Sequence, residues 1–121
     1  LGDFVRDALA RGDAPIRVAS DGQSVRSYLG GHDMAHALVT ALVVGEAGTA
    51  YNVGSSEAVT IEELAHRVPD RLSPTRAVEI QGVVGDCQRS RYVPDVTRIA
   101  ALGAASRTDL DTVIDDAAVS C

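Results

Sequence analysis

Between Asp21 and Ser56 the chain strings a turn, a strand, a helix and a second strand into one unit, and this alternation of short elements constrains the fold more than any other feature. Ser20-Asp21-Gly22 reads as the turn and Ser24 to Leu29 as a strand with Arg26 in its middle. Gly30-Gly31 ends that strand. Asp33 stands where a helix cap is wanted, and Met34, Leu38, Ala41 and Leu42 then form one apolar stripe up to Gly45. Gly48 opens a turn into a short strand over Ala50 to Val53, which stops at Gly54-Ser55-Ser56.

The flanking segments continue the alternation. Phe4, Val5, Ala8 and Leu9 recur at helical spacing and Gly12 follows as a stop, so residues 3 to 11 are expected to be helical. The Arg11-Gly12-Asp13 tripeptide is accounted for by that stop and a turn. Ile16 to Ala19 is a strand candidate, forming with the next strand either a hairpin or a strand-turn-strand corner. Thr60 and Glu63 spell a capping box, after which Ile61, Leu64, Ala65 and Val68 repeat on one face until Pro69, where the helix is expected to end. A loop over 70–76, a strand from Ala77 to Ile80 and a mobile loop from Gly82 to Ser90 follow. Tyr92-Val93-Pro94 reads as extended, Asp95 as the cap of a short helix ending at Gly103, and Thr108 as the cap of a last helix carrying Leu110, Val113, Ile114 and Ala117. About five helices and four or five strands result, with no internal repeat.

Composition limits what such a chain can do. At 121 residues one domain with one modest core is expected. Aromatics are 3% of the residues, so the core must come from Ala, Val, Leu and Ile, and a large aromatic ligand platform is not expected. A net charge of −6 disfavours nucleic acid and anionic membranes as partners. No apolar run nears the roughly 20 residues that span a bilayer, and no basic segment precedes an apolar one, so a cytoplasmic protein without a signal peptide is expected. Cys87 and Cys121 lack CxxC spacing; free thiols are the expectation, with a disulfide as the other reading.

All 11 basic residues are arginine, so any anion must be gripped by guanidinium groups. Arg26 is the foremost candidate: mid-strand, it needs either an anionic ligand such as a diphosphate or a carboxylate partner such as Asp33. Arg89 and Arg91 offer a second cationic arm that could clamp the other end of a diphosphate, or else a solvated loop. His32-Asp33-x-x-His36 has the spacing of two metal ligands but no third, and no metal site is expected. No G-x-S-x-G, no G-x-G-x-x-G and no Walker lysine occurs, so the residues offer no catalytic centre and no cofactor loop.

The order of the pieces is itself informative. Phe4-x-x-x-Ala8-Leu9-Ala10-Arg11-Gly12, Pro15-Ile16-x-Val18, Asp21-Gly22-x-x-x-Arg26-Ser27-Tyr28-Leu29, Asp33-Met34-Ala35-x-Ala37-Leu38, Gly48-x-x-Tyr51-Asn52-Val53-Gly54-Ser55, Ile61-x-Glu63-Leu64-Ala65 and Arg91-Tyr92-Val93-Pro94-Asp95 with Leu102-Gly103 cover nearly the whole chain. In that order they resemble the C-terminal part of extended short-chain dehydrogenases/reductases, the NAD-dependent nucleotide-sugar epimerases and dehydratases. The resemblance implies a small mixed α/β substrate-binding domain lacking the N-terminal Rossmann domain, with NAD(P) and the catalytic Tyr-x-x-x-Lys housed on that absent domain. It further implies that Arg26 grips the diphosphate of a nucleoside-diphosphate sugar, that Arg91 or Arg89 is the second phosphate-side arginine, that Asn52 lies beside the pocket, and that Arg17 and Ala19 fall near the base. The Rossmann domain is then an expected partner, and the apolar surface it would cover is expected to drive self-association. A freestanding α/β interaction or scaffold module without a ligand is the other reading.

Overall fold

In the computed structural model, which describes residues 1–83, 85 and 90–120, the elements follow in the order α1 (Gly2–Leu9), β1 (Ile16–Val18), β2 (Val25–Ser27), α2 (Gly31–Val44), β3 (Ala58–Thr60), α3 (Ile61–Leu72), β4 (Val78–Ile80), β5 (Arg91–Tyr92), α4 (Thr97–Ala101) and α5 (Leu110–Ser120). The strands make two small sheets. β1 pairs in parallel with β4, Ile16 opposite Val78, while β2 lies between antiparallel β3 and parallel β5. The segment between β1 and β2 is therefore a corner that leads from one sheet to the other, and not a hairpin.

Amphipathic spacing explains the main core. α1 buries Val5 and Ala8, α3 buries Leu64, Ala65, Val68 and Pro69, and α5 buries Leu110, Val113 and Ile114, each set spaced to line one side of a helix. These three helices pack on one another and on Ile16 of β1 and Val59 of β3. Arg67 fastens α3 to its neighbours, donating to Asp111 Oδ1 at 2.5 Å and to Glu57 Oε1 at 3.0 Å. A second, smaller cluster joins Ala37 of α2, Ile99 of α4 and Ala104. No helix among the described residues is long and apolar enough to cross a membrane.

The capping box at Thr60 is present in both directions, with the Glu63 amide donating to Thr60 Oγ1 at 3.0 Å and the Thr60 amide donating to Glu63 Oε2 at 2.7 Å. Several expectations need correction. Pro69 does not end α3, which runs on to Leu72: its ring is fully buried in the core, and its carbonyl accepts the Ser73 amide at 2.7 Å. Packing there outweighs the missing N–H. The segment 50–53 is not a strand, because no neighbouring strand pairs with it. Asp33 does not cap α2, whose N-cap is Gly30; its carboxylate reaches instead to residues 106–108. Asp95 stands one residue before the N-cap of α4 and accepts the Thr97 amide at 2.9 Å. Asp109, rather than Thr108, receives the Thr112 amide at the start of α5, at 2.8 Å.

The stripe expected to bury α2 is open to solvent: Met34, Leu38 and Leu42 are 49%, 56% and 84% exposed, and only Ala37 of that helix is buried. The loop expected over 82–90 includes residues 84 and 86–89, which lie outside the described residues, as do Cys87 and Cys121.

Candidate functional site

β2 places Arg26 at the centre of the three-stranded sheet, opposite Val59 of β3 and Tyr92 of β5. Paired residues share a face and alternate residues along a strand do too, so Ser24, Arg26 and Tyr28 stand with Ser90 and Tyr92 on one side. The hydrogen bonds agree with this. Arg26 Nη1 donates to the carbonyls of Val25 at 2.8 Å and Ser90 at 3.1 Å, and Nη2 donates to Ser90 Oγ at 2.9 Å. Ser90 Oγ in turn lies 3.5 Å from Ser24 Oγ. Burial pushes the Tyr28 phenol above its ordinary value, and the positive charge of Arg26 pulls part of the way back.

The charge state of this cluster is its main chemical property. A guanidinium carries five N–H groups, and the three bonds above use three of them on neutral oxygens. The carboxylate pairing with Asp33 does not form, since Asp33 Oδ2 is occupied by the amides of Arg107 and Thr108 and the hydroxyl of Ser106. Among the described residues no acid pairs with Arg26. A half-buried cation is thus held in place by neutral acceptors, with two donors left over and no counter-charge among the described residues.

Arg91 comes to the adjacent strand, but in register with Val25 instead of Arg26. Its side chain therefore leaves from the opposite face of the sheet, so the strand register does not support a clamp made by these two arginines. Arg89 lies outside the described residues. Asn52 is exposed and donates from Nδ2 to the Asp95 carbonyl at 3.0 Å, which ties the 50–53 segment to the chain just past β5. Gly54 is part of the same approach, since a Cβ there would stand 2.4 Å from Pro94 Cγ. Arg17 and Ala19 share the exposed face of β1, on the other sheet, and Arg17 Nε lies 3.4 Å from Glu79 Oε2. His32 and His36 are both exposed, and among the described residues no group of three ligand-type side chains could hold a metal. Sequence reasoning missed Ser24, Tyr28 and Ser90; the period of two around Arg26 was the signal for the first two.

No family model matches the chain. Over 102 residues it is 31% identical to the Arabidopsis thaliana trifunctional UDP-glucose 4,6-dehydratase/UDP-4-keto-6-deoxy-D-glucose 3,5-epimerase/UDP-4-keto-L-rhamnose-reductase RHM2, a match over 84% of this chain and 15% of that protein. Its fold is similar to RMD from Pseudomonas aeruginosa complexed with NADPH, at a TM-score of 0.75 and 21% identity over 99% of this chain and 41% of that one. It is also similar to MoeE5 in complex with UDP-glucuronic acid and NAD, at a TM-score of 0.70 and 26% identity over 93% of this chain and 37% of that one. The chain thus spans about two fifths of the solved relatives and a smaller share of the plant protein. With the arginine-bearing strand, the Tyr-Asn-Val-Gly segment and the capped α3 in the order anticipated, the chain is similar in sequence and fold to the C-terminal part of the NAD-dependent nucleotide-sugar epimerases and dehydratases, the extended short-chain dehydrogenases/reductases.

Proposed function

We propose that this chain is the nucleotide-sugar-binding part of an NAD-dependent epimerase or dehydratase, that Arg26 holds the diphosphate, and that the chain alone does not turn over substrate. One observation carries the reading: the Arg26 guanidinium is fixed by neutral acceptors and has no acid partner among the described residues, the arrangement expected of a group whose counter-charge arrives with a ligand. Similarity to a structure bound to UDP-glucuronic acid and NAD supports it. Asn52 offers its remaining amide oxygen beside Asp95, Arg91 adds positive potential at the edge of the sheet, and Ala19 keeps the base-side position at the exposed end of β1.

Among the described residues no strand-to-helix turn has the G-x-G-x-x-G spacing of a dinucleotide loop, and the Gly30-Gly31 pair at the start of α2 lacks it. NAD(P) therefore belongs, in this reading, to the remainder of a longer polypeptide.

Uridine diphosphate is expected to raise the melting temperature of the chain in a saturable way, since a ligand that binds only the folded state stabilises it by about 2.7 kcal/mol at one hundred times its dissociation constant. Uridine alone should not do so, and Arg26→Gln should abolish the shift while leaving the unliganded melting temperature within a few degrees. Absence of any shift at millimolar ligand, both in this chain and in a longer polypeptide containing it, points to a ligand-free interaction module instead.

The bare face of α2 fits the same reading. From Met34 to Gly45 the helix carries no acidic, lysine or arginine side chain, and Val39 and Val43 are 59% and 72% exposed. Such a surface docks on the rest of the longer polypeptide, and without that cover two copies of the chain associate through it. Sedimentation velocity is expected to show a weight-average mass that rises with concentration, and the Leu38→Glu/Leu42→Glu pair to restore the monomer. A constant monomer mass from micromolar to millimolar concentration rules the association out.

A further inference from the structure

A second cationic site lies apart from Arg26, on the two-stranded sheet. Where the chain turns from α1 into β1, a groove of about 230 Å³ is lined by three arginines, Arg11, Arg17 and Arg76, against a single acid, Asp7. The geometry points to a binding site for a phosphate dianion, either free or as a phosphomonoester. Arg76 is its fixed element. The loop over 10–15 wraps around this half-buried guanidinium, which donates from Nη2 to the Ala10 carbonyl at 2.5 Å and from Nη1 to the Ala14 carbonyl at 2.9 Å. Both acceptors are neutral, so the loop is pinned while the charge stays uncancelled.

The other two cations are available to a ligand. Arg17 projects from the exposed face of β1, and its contact with Glu79 is loose, at 3.4 Å with side chains 64% and 51% exposed, where ion pairing contributes little. Arg11 is exposed and forms no ion pair among the described residues. The lining thus has a net positive charge on a protein whose overall charge is −6, a local reversal that attracts anions to the groove. Forked donors on several sides suit the tetrahedral oxygens of phosphate, and the volume admits a phosphate group.

The test is a titration of the protein with inorganic phosphate at constant ionic strength, followed by the Nε–Hε signals of the arginines in nitrogen-edited NMR. Saturable shifts at Arg11, Arg17 and Arg76 with a millimolar dissociation constant are expected. The Arg11→Gln/Arg17→Gln variant, altered only at exposed positions, should bind at least tenfold more weakly with an otherwise unchanged spectrum, and Arg76→Lys should weaken binding as well. Arg26→Gln should bind phosphate as the parent does, which separates this site from the diphosphate reading. A parallel titration with glycerol phosphate identifies the source: tighter binding than inorganic phosphate assigns the groove to a phosphomonoester, and equal or weaker binding assigns it to free phosphate. Shifts that do not saturate, that spread evenly over all arginines, or that persist in the double variant overturn the proposal.

Discussion

Leu64→Ala is expected to lower the unfolding free energy by about 3–4 kcal/mol, the range for emptying a fully buried leucine site that cannot collapse around the loss. Leu64 has no exposed surface and sits where α3 meets Val5 of α1, Ile16 of β1 and Ile114 of α5. All of these neighbours belong to different elements, so none can move inward without disturbing its own helix or strand. Urea denaturation followed by far-UV circular dichroism measures the effect as a lower midpoint at unchanged slope. Ile114→Val, which removes one methylene from the same cluster, should cost only about 1 kcal/mol. A Leu64→Ala loss below about 1 kcal/mol would mean that α1, α3 and α5 do not share this core.

Asp33→Ala is expected to cost about 2 kcal/mol at neutral pH, because it strips the acceptor from two amides and a hydroxyl at once. Asp33 Oδ2 receives the Thr108 amide at 2.8 Å, the Arg107 amide at 2.9 Å and the Ser106 hydroxyl at 3.1 Å, and so fixes the approach to α5 on the first turn of α2. Burial pushes this carboxyl up, but the hydrogen bonds from Thr108, Arg107 and Ser106 outweigh it and bring the pKa down to about 2. The folded value lies below the unfolded one of about 3.9. The stabilisation is therefore complete above about pH 4 and is lost as the pH falls through about 2. The shift corresponds to about 1–2 kcal/mol after allowance for partial exposure. The stability gap between the parent and Asp33→Asn, measured by urea titration at successive pH values, should be constant from pH 7 to 5 and shrink between pH 4 and 2. A gap that stays constant across that acid range removes the assigned role.

What could be read in advance was local. The Thr60/Glu63 box is complete within four residues and needs nothing else, and it appears as expected. The faces of α1, α3 and α5 follow from spacing alone, because each is polar on its far side. α2 was different. It is apolar around most of its circumference, so periodicity identifies a helix without saying which face is covered, and the small Ala37 is buried while the larger side chains are not. The Tyr51-Asn52-Val53 segment has the composition of a strand, but a ladder takes two partners and only one is spelled there. The rule that proline ends a helix holds for isolated helices, and Pro69 escapes it because its ring is buried in the core. Asp33 has the local pattern of a helix cap, but its partners lie 73 to 75 positions downstream, a distance at which no local pattern carries information.

For the proposed site, the position of Arg26 on a strand was legible and its surroundings were not. Its hydroxyl partner Ser90 is 64 residues away, and the register that turns Arg91 to the other face depends on how β5 slides along β2. A shift of one residue in that pairing would have brought the two arginines to the same face.

The pairing of β1 with β4 has a consequence for how the chain is made. Ile16, Arg17 and Val18 find their partners only at Val78, Glu79 and Ile80, and Val25 and Arg26 find one of theirs only at Arg91 and Tyr92. During synthesis at about 5–20 residues per second, the first strand therefore waits several seconds outside the ribosome before its partner emerges. Through that interval Ile16 and Val18 have no ladder to join, and the nascent chain depends on chaperones or on prompt collapse of α1 against α3 to keep them from the wrong neighbour.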